Sequence, residues 1–312
     1  MVPRLRVLGL ALTLLLPNGK ALFAADCVGV IPGGGSSAYW NLVRDGAFQA
    51  GYENGIEVYY RGPEREGDSE AQLRVIDIVV ERGCKALVIA PAGKEIGERV
   101  AQLKQQGILS LYIDRDMGGD VLSVIATDNF KAGQQAAEHM ARLLGVGGRV
   151  LMLRLSPDVV STMAREDGFI QAARAAGLTV DYEGFTGANP PRVIEQLKRS
   201  TDYEGFFTAN ALTTTVTYTS LKRLGSAGRK VHVGFDSSEL LVGALQRGEI
   251  KALVLQQAQQ MGHEGVVQAA QALRGKLPPR EPRLQSLPVR IATQENLQQA
   301  EILRLLGYPL PQ

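Results

Sequence analysis

The stretch CVGVIPGGG at 27–35 is a short apolar run that stops on proline and glycine, and the same design returns along the chain. ALVIAPAG (86–93), SLYIDRD (110–116), VLMLRLS (150–156), GFFTAN (205–210) and HVGFDSS (232–238) all end in polar or glycine punctuation. Runs of this length, rich in Val, Ile, Leu and Phe and separated by helix-like stretches of roughly a dozen residues, mark strands of parallel sheets covered on both faces. In open parallel sheets ligands sit beyond the carboxyl ends of the strands, so the polar residues gathered there are the first candidates for a binding crevice.

Working outward, the spacing predicts a helix from about Ser37 to Asn54, with Trp40, Val43 and Ala47 on one face. Strand IEVYY (56–60), the Gly/Pro-punctuated loop RGPEREGD (61–68) and a helix carrying Leu73, Ile76 and Val80 come next. Asp68 or Ser69 is the expected cap of that helix. A helix near Ile96 to Gln106 and strand SLYID complete a first set of βα steps, and a short link at Val124–Thr127 leads into a helix at about Asn129–Leu144. The alternation then repeats: RVLMLRL, LTVDYEG, EGFFTA, KVHVGFD and KALVLQQ as strands, with helices near Arg165–Ala176, Pro190–Arg199, Leu212–Leu224 and Ser238–Gln246. The proline-rich GKLPPREPRLQSLP (275–288) reads as an extended connector. The fold class is therefore α/β, with two doubly wound parallel-sheet lobes.

With 312 residues, 45% hydrophobic and 21% charged, the chain can bury two cores. A net charge of +2 without a basic run gives no footprint for nucleic acid. The opening MVPRLR, the apolar VLGLALTLLLP and the small-residue NGKALFAAD form a basic head, a core and a cleavage region, as in an export signal. The apolar part is too short to span a bilayer comfortably. Cleavage is expected after Ala24, with Ala25 next; Asp26 before Cys27 argues against a lipoprotein. An oxidising destination allows disulfides. Cys27 opens the first strand and Cys84 precedes KALVIAP, two strands that are commonly parallel neighbours, so a Cys27–Cys84 bridge stands against two buried thiols. His139, His232 and His263 are scattered and form no metal cluster with the cysteines, and no metal or cofactor is expected.

GGGSSA at 33–38 matches a dinucleotide fingerprint between strand and helix, and Arg61 could suit a 2′-phosphate. The competing reading is a flexible turn that lets a ligand approach.

Several ordered motifs make the chain resemble the periplasmic sugar-binding proteins of the ribose-binding type, the type I periplasmic binding proteins that share their fold with the effector domains of LacI-type repressors. The motifs are SAYWNLVRDGA (37–47), IDRD (113–116), ATDNFKAG (126–133), REDGF (165–169), FFTAN (206–210), VGFD (233–236) and LQQAQQMG (255–262). The resemblance runs from Cys27 to about Asn296. It implies two lobes joined by three hinge crossovers near Thr127–Asn129, Gln256–Gln257 and Leu287–Val289. The expected division is an export signal at 1–24, a first lobe of 25–127 plus 257–286, a second of 128–256 plus 287–296, and a C-terminal tail at 297–312.

By the same resemblance Asp114 and Arg115 contact ligand from the first lobe, Arg165, Asn210, Asp236 and Gln256 from the second lobe or crossover, and Tyr39 and Trp40 pack on a sugar ring, with Ser37 in place of an asparagine. The chemistry suits a polyhydroxyl guest: carboxylates accept from hydroxyls, while guanidinium and amide groups donate to them. Flat aromatic side chains complement the apolar C–H faces. Each residue has a plainer reading too. Asp114 and Arg115 can simply pair, Arg165 can be a solvated helix residue, and Asn210 and Asp236 can cap helices. Tyr39 and Trp40 can both be core, but adjacent helical residues diverge by about 100°, so at least one is expected to face the crevice or a lobe surface. Ala90 and Ala211 stand where the family often has polar residues, which implies a ligand other than ribose, or a deoxy, methylated or otherwise altered sugar.

The expected role is an exported, monomeric, non-enzymatic binding protein that delivers a sugar to an ABC transporter permease in the inner membrane. The alternatives are a sensory binding protein that reports to a histidine kinase or chemoreceptor and, from another class, an NADP-dependent oxidoreductase using the glycine turn. The latter lacks a Tyr-Lys or His-Asp constellation in the crevice. The leader occupies the place where a repressor has its DNA-binding head.

Overall fold

A computed structural model describes residues 27–35, 37–276 and 283–308, so the expected export signal lies outside the described residues. The chain forms two six-stranded sheets. The first contains β1 (Cys27–Ile31), β2 (Glu57–Tyr60), β3 (Ala86–Ile89), β4 (Leu109–Ile113), β5 (Val124–Thr127) and β11 (Leu284–Leu287), in the order β11-β5-β4-β3-β1-β2 and parallel throughout. The second contains β6 (Arg149–Leu153), β7 (Thr179–Asp181), β8 (Gly205–Thr208), β9 (Val231–Phe235), β10 (Ala252–Leu255) and β12 (Arg290–Ala292), in the order β12-β10-β9-β8-β6-β7. Only β12 is antiparallel to its neighbour there. The two sheets have matching orders, so β4 corresponds to β9 and β5 to β10.

The central strands β1, β3 and β8 are buried at every position, which is why they read as unbroken apolar runs. Helices cover both faces: α1 (Ala38–Asn54), α2 (Ser69–Glu81) and α3 (Glu95–Gln105) in the first half, then α4 (Asn129–Leu144), α5 (Val160–Ala175), α6 (Pro190–Arg199), α7 (Ala211–Arg223) and α8 (Glu239–Gln246). After β10 come α9 (Ala258–Leu273) and, at the end, α10 (Ala300–Leu305). No helix among the described residues is long and apolar enough to cross a membrane.

Two helices change sides. α4 follows β5 of the first sheet but packs in the second core with α5, while α9 follows β10 of the second sheet but packs in the first core with α1. The chain thus passes between the halves at 127–129, 255–258 and 287–290.

Glycine lets both helix pairs approach closely. A Cβ on Gly46 would lie 1.9 Å from the Gln259 carbonyl oxygen and one on Gly262 2.0 Å from that of Val43. In the other pair, Gly133 would meet the Arg165 carbonyl and Gly168 the Phe130 carbonyl, each at 2.0 Å. The glycines of RDGA, KAG, REDG and MG are therefore backbone contacts between helices.

Three expectations change. LQSLP is a connector only in part, because Leu284–Leu287 pair with β5 as an edge strand. The C-terminal tail contains a helix, α10, whose Ile302 and Leu303 are buried and which joins Leu297 against α8 and β10. α5 begins at Val160, five residues before the Arg165 start read from the sequence, without a side-chain cap.

A disulfide joins Cys27 to Cys84, whose Cα atoms are 4.4 Å apart at the amino ends of neighbouring strands β1 and β3. In the chain-entropy account a loop of this size is worth about 4 kcal/mol. Mass analysis of the protein without reductant is expected to find the two peptides linked, and paired Cys27→Ser, Cys84→Ser replacement to lower the melting temperature; free thiols in the native protein would exclude the bridge.

Candidate functional site

The carboxyl ends of the strands carry the groups that matter. Asp114 follows β4 and Asp236 follows its counterpart β9, and among the described residues these two alone, apart from glycines, have left-handed backbone, with φ of 69° and 63°. Their settings correspond as well: the Asp114 amide donates to the Ile125 carbonyl and that of Asp236 to the Val254 carbonyl, each on the next strand. Left-handed geometry costs a non-glycine residue about 1 kcal/mol or more, and such conformations cluster at binding sites.

Asp114 is buried and holds two partners. Its Oδ1 accepts from the Tyr39 hydroxyl at 2.7 Å and its Oδ2 from Arg115 Nε at 2.8 Å. Arg115 also reaches Glu66 at 2.9 Å. Burial opposes the guanidinium's charge, but Asp114 and Glu66 outweigh it and hold its pKa above the usual range. The Tyr39 phenol is held well above its ordinary range, first by burial and then by the Asp114 carboxylate. With its single proton given to Asp114, Tyr39 offers a ligand only acceptor lone pairs.

On the other half Arg165, 3% exposed, donates through Nε to Asn129 Oδ1 at 2.8 Å and through Nη1 to the Ala209 carbonyl at 2.9 Å, with its guanidinium 4.1 Å from the Phe235 ring centre. Asn210 caps α7, its Oδ1 accepting from the Thr213 amide, so its Nδ2 is the end left for another acceptor. Asp236 accepts from Gln256 Nε2 at 2.7 Å and from the Ala211 amide at 3.2 Å. Burial lifts its carboxyl above the usual carboxylate range, Arg165 and these hydrogen bonds pull it down, and the charge of Asp114 adds to the lift. Asp114 and Arg165 thus both act on Asp236 from opposite halves of the chain.

Gln256 lies at the passage between the halves. Its Oε1 accepts from Thr127 Oγ1 at 2.7 Å, so a hydrogen-bonded chain Thr127–Gln256–Asp236 links two of the three crossing segments. A small cavity beside it is lined by Tyr39, Leu42 and Ala258 from one half and Asp236, Ser237 and Gln256 from the other.

Two of the residues read from the sequence sit apart from this cluster. Ser37 is exposed and caps α1, accepting from the Trp40 amide at 3.3 Å. Trp40 is 3% exposed within the first core, its ring edge-on to Tyr39 and against Gly33. Of the two adjacent aromatics it is Tyr39 that meets the charged cluster. Other groups were not singled out by the sequence reading: Asn129 and Phe235 holding Arg165, Glu66 on Arg115, Thr127 on Gln256, and Met261, whose sulfur accepts from the Asp114 amide at 3.1 Å. Asn129 and Met261 lie inside quoted motifs, ATDNFKAG and LQQAQQMG, so position in those motifs was the available signal.

The glycine turn is filled by the chain itself. A Cβ on Gly34 would lie 2.8 Å from that of Glu66, and one on Gly35 2.6 Å from the Glu64 carbonyl oxygen, so the loop at 61–67 packs directly against the turn.

Comparison with known proteins bears on the family and the fold. The family model described as a periplasmic binding protein domain matches residues 28–277. A ribose import binding protein of Haemophilus influenzae is 28% identical over 283 residues, covering 88% of this chain and 94% of that one. Its Escherichia coli counterpart is 25% identical over 81% of this chain and 86% of its own. Among solved structures, the periplasmic component of an ABC-type sugar transport system from Hahella chejuensis superposes with a TM-score of 0.77 at 29% identity, covering 85% of this chain and 99% of that one. A solute-binding protein from Agrobacterium vitis with bound α-D-tagatopyranose has a TM-score of 0.80 at 24% identity, over 90% and 98% of the two chains.

Proposed function

This chain belongs to the periplasmic binding protein domain family, and on that premise we propose that it captures a neutral sugar between its two lobes in the periplasm and passes it to an ABC importer. Its relatives are non-enzymatic import binding proteins, and the family and those relatives imply a periplasmic location.

One observation carries the proposal. Tyr39 and Asp114 from the first half and Arg165, Asn210, Asp236 and Gln256 from the second gather at the carboxyl ends of their sheets, with hydrogen-bonding capacity left over. Acceptors on Tyr39, Asp114 and Asp236 alternate with donors on Arg165 and Asn210, a pattern a ring of hydroxyls satisfies from both sides. Opposite charges pair within each half, Asp114 with Arg115 and Asp236 near Arg165, so the site favours an uncharged guest. Because such a guest touches both lobes only when they are shut, its binding free energy favours the closed form, and the three crossing segments act as hinges.

The test is a thermal-shift screen of the full mature chain against pentoses, hexoses, polyols and NADP. A captured sugar at a hundred times its Kd adds about 2.7 kcal/mol and raises the midpoint. The reading expects at least one pentose or hexose to do so; a shift with NADP alone, or with no sugar in the panel, overturns it.

A further inference from the structure

Behind the second half of the site lies a chain of fully buried polar side chains. Thr208 ends β8, His232 lies on β9 and Thr214 lies one turn into α7; all three are 0% exposed. Thr208 Oγ1 is 3.0 Å from His232 Nε2 and 2.9 Å from Thr214 Oγ1. Thr214 Oγ1 is in turn 2.7 Å from the Asn210 carbonyl oxygen and accepts from the Phe235 amide at 3.1 Å. His232 Nδ1 has no partner.

Counting protons fixes the direction of the chain. Thr214 has one hydroxyl hydrogen and two carbonyl oxygens in reach, Asn210 at 2.7 Å and Phe235 at 3.3 Å; the shorter contact is the better one, and with either the hydrogen is spent on a carbonyl. Thr208 must then donate to Thr214, and so must accept from His232, which carries its proton on Nε2. The other tautomer would bury an unpaired N–H on Nδ1 and leave two acceptors facing each other at Asn210, both costly. A bare Nδ1 is the cheaper orphan, and burial pushes the imidazole down to about 3, so His232 is neutral.

The relay ends where the site begins. Thr214 holds the carbonyl of Asn210 and the amide of Phe235, the residues that respectively offer Nδ2 to the crevice and precede the left-handed Asp236. Gly234 makes room for this, since a Cβ there would lie 2.3 Å from the Thr214 methyl. We infer that His232, Thr208 and Thr214 are positioning residues that fix Asn210 and Asp236 for ligand capture, an inference that rests on the sugar-binding reading above.

The experiment has two arms on the full mature chain. Two-bond ¹H–¹⁵N spectra of histidine-labelled protein at neutral pH need resolve only His139, His232 and His263. His232 is expected as the neutral Nε2–H tautomer, and the Nδ1–H form or an imidazolium overturns the relay. In the second arm, Thr214→Val is expected to weaken binding of the sugar with the largest thermal shift among D-ribose, D-allose, D-arabinose and D-tagatose by about tenfold or more, while Thr214→Ser stays within about threefold. Wild-type affinity in the valine variant, or equal loss in the serine variant, overturns the positioning role. If the valine variant does not fold, wild-type affinity in the serine variant with the Nε2–H tautomer supports the relay, and weakened binding overturns it. If none of the four sugars binds wild type, the capture reading fails for them, and the relay is then decided by the tautomer and by hydrogen exchange of the Phe235 amide, expected faster in Thr214→Val.

Discussion

Asp236→Ala is expected to weaken sugar affinity by about thirtyfold to several thousandfold, the range seen when one member of a buried, hydrogen-bonded charged pair is truncated. The carboxylate accepts from Gln256 and the Ala211 amide and balances Arg165, so its loss removes the ligand's acceptor and leaves that guanidinium poorly compensated. The fold should survive, because Asp236 belongs to none of the apolar cores and the ladder partner of its amide, Val254, is untouched. Asp236→Asn separates shape from charge and should lose less. Titration calorimetry with the sugar identified by thermal shift, alongside circular dichroism melting, checks both; unchanged affinity with native melting would remove Asp236 from the site.

A stability effect nearly as large as that of losing the disulfide is expected at the helix crossings. In an unhindered helix interior, Gly→Ala stabilises by up to about 1 kcal/mol. At Gly168 the new methyl would meet the Phe130 carbonyl oxygen at 2.0 Å, a contact neither backbone can yield without separating α4 from α5. Gly168→Ala should therefore cost about 3 kcal/mol, at the upper end of overpacking, and lower the melting midpoint by roughly 6–12 °C. The sign decides: a neutral or stabilising result in urea unfolding would mean that the helices do not pack at this distance.

The alternation of strands and helices was legible because buried parallel strands are apolar on both faces and end in polar residues. That same punctuation pointed to Asp114, Asn210 and Asp236, each one residue or two past a strand. β11 escaped because an edge strand has little to bury: Leu284, Gln285 and Ser286 are exposed and only Leu287 is not. α10 escaped because six residues carry too little periodicity to stand out. The divergence of Tyr39 and Trp40 followed from helix geometry, yet which of them faces the charged cluster depends on what Gly33 and Asp114 place beside them. Glu66 and Asn129 find their arginines 49 and 36 residues away, a distance no local pattern spans. The glycine turn shows the opposite failure, a local motif whose meaning changes once the 61–67 loop is laid across it.

The exchange of α4 and α9 between the halves has a consequence for biogenesis. The wall formed by Ala258, Met261, Val266, Ala269 and Ala270 against β1, β3 and β4 comes from sequence made after the whole second sheet but its edge strand. A nascent polypeptide therefore cannot seal its amino-terminal half until most of its length has been synthesised, and such distant pairings form slowly. A product cut short before Ala258 would therefore lack the cover of α9 over the apolar strands β1, β3 and β4.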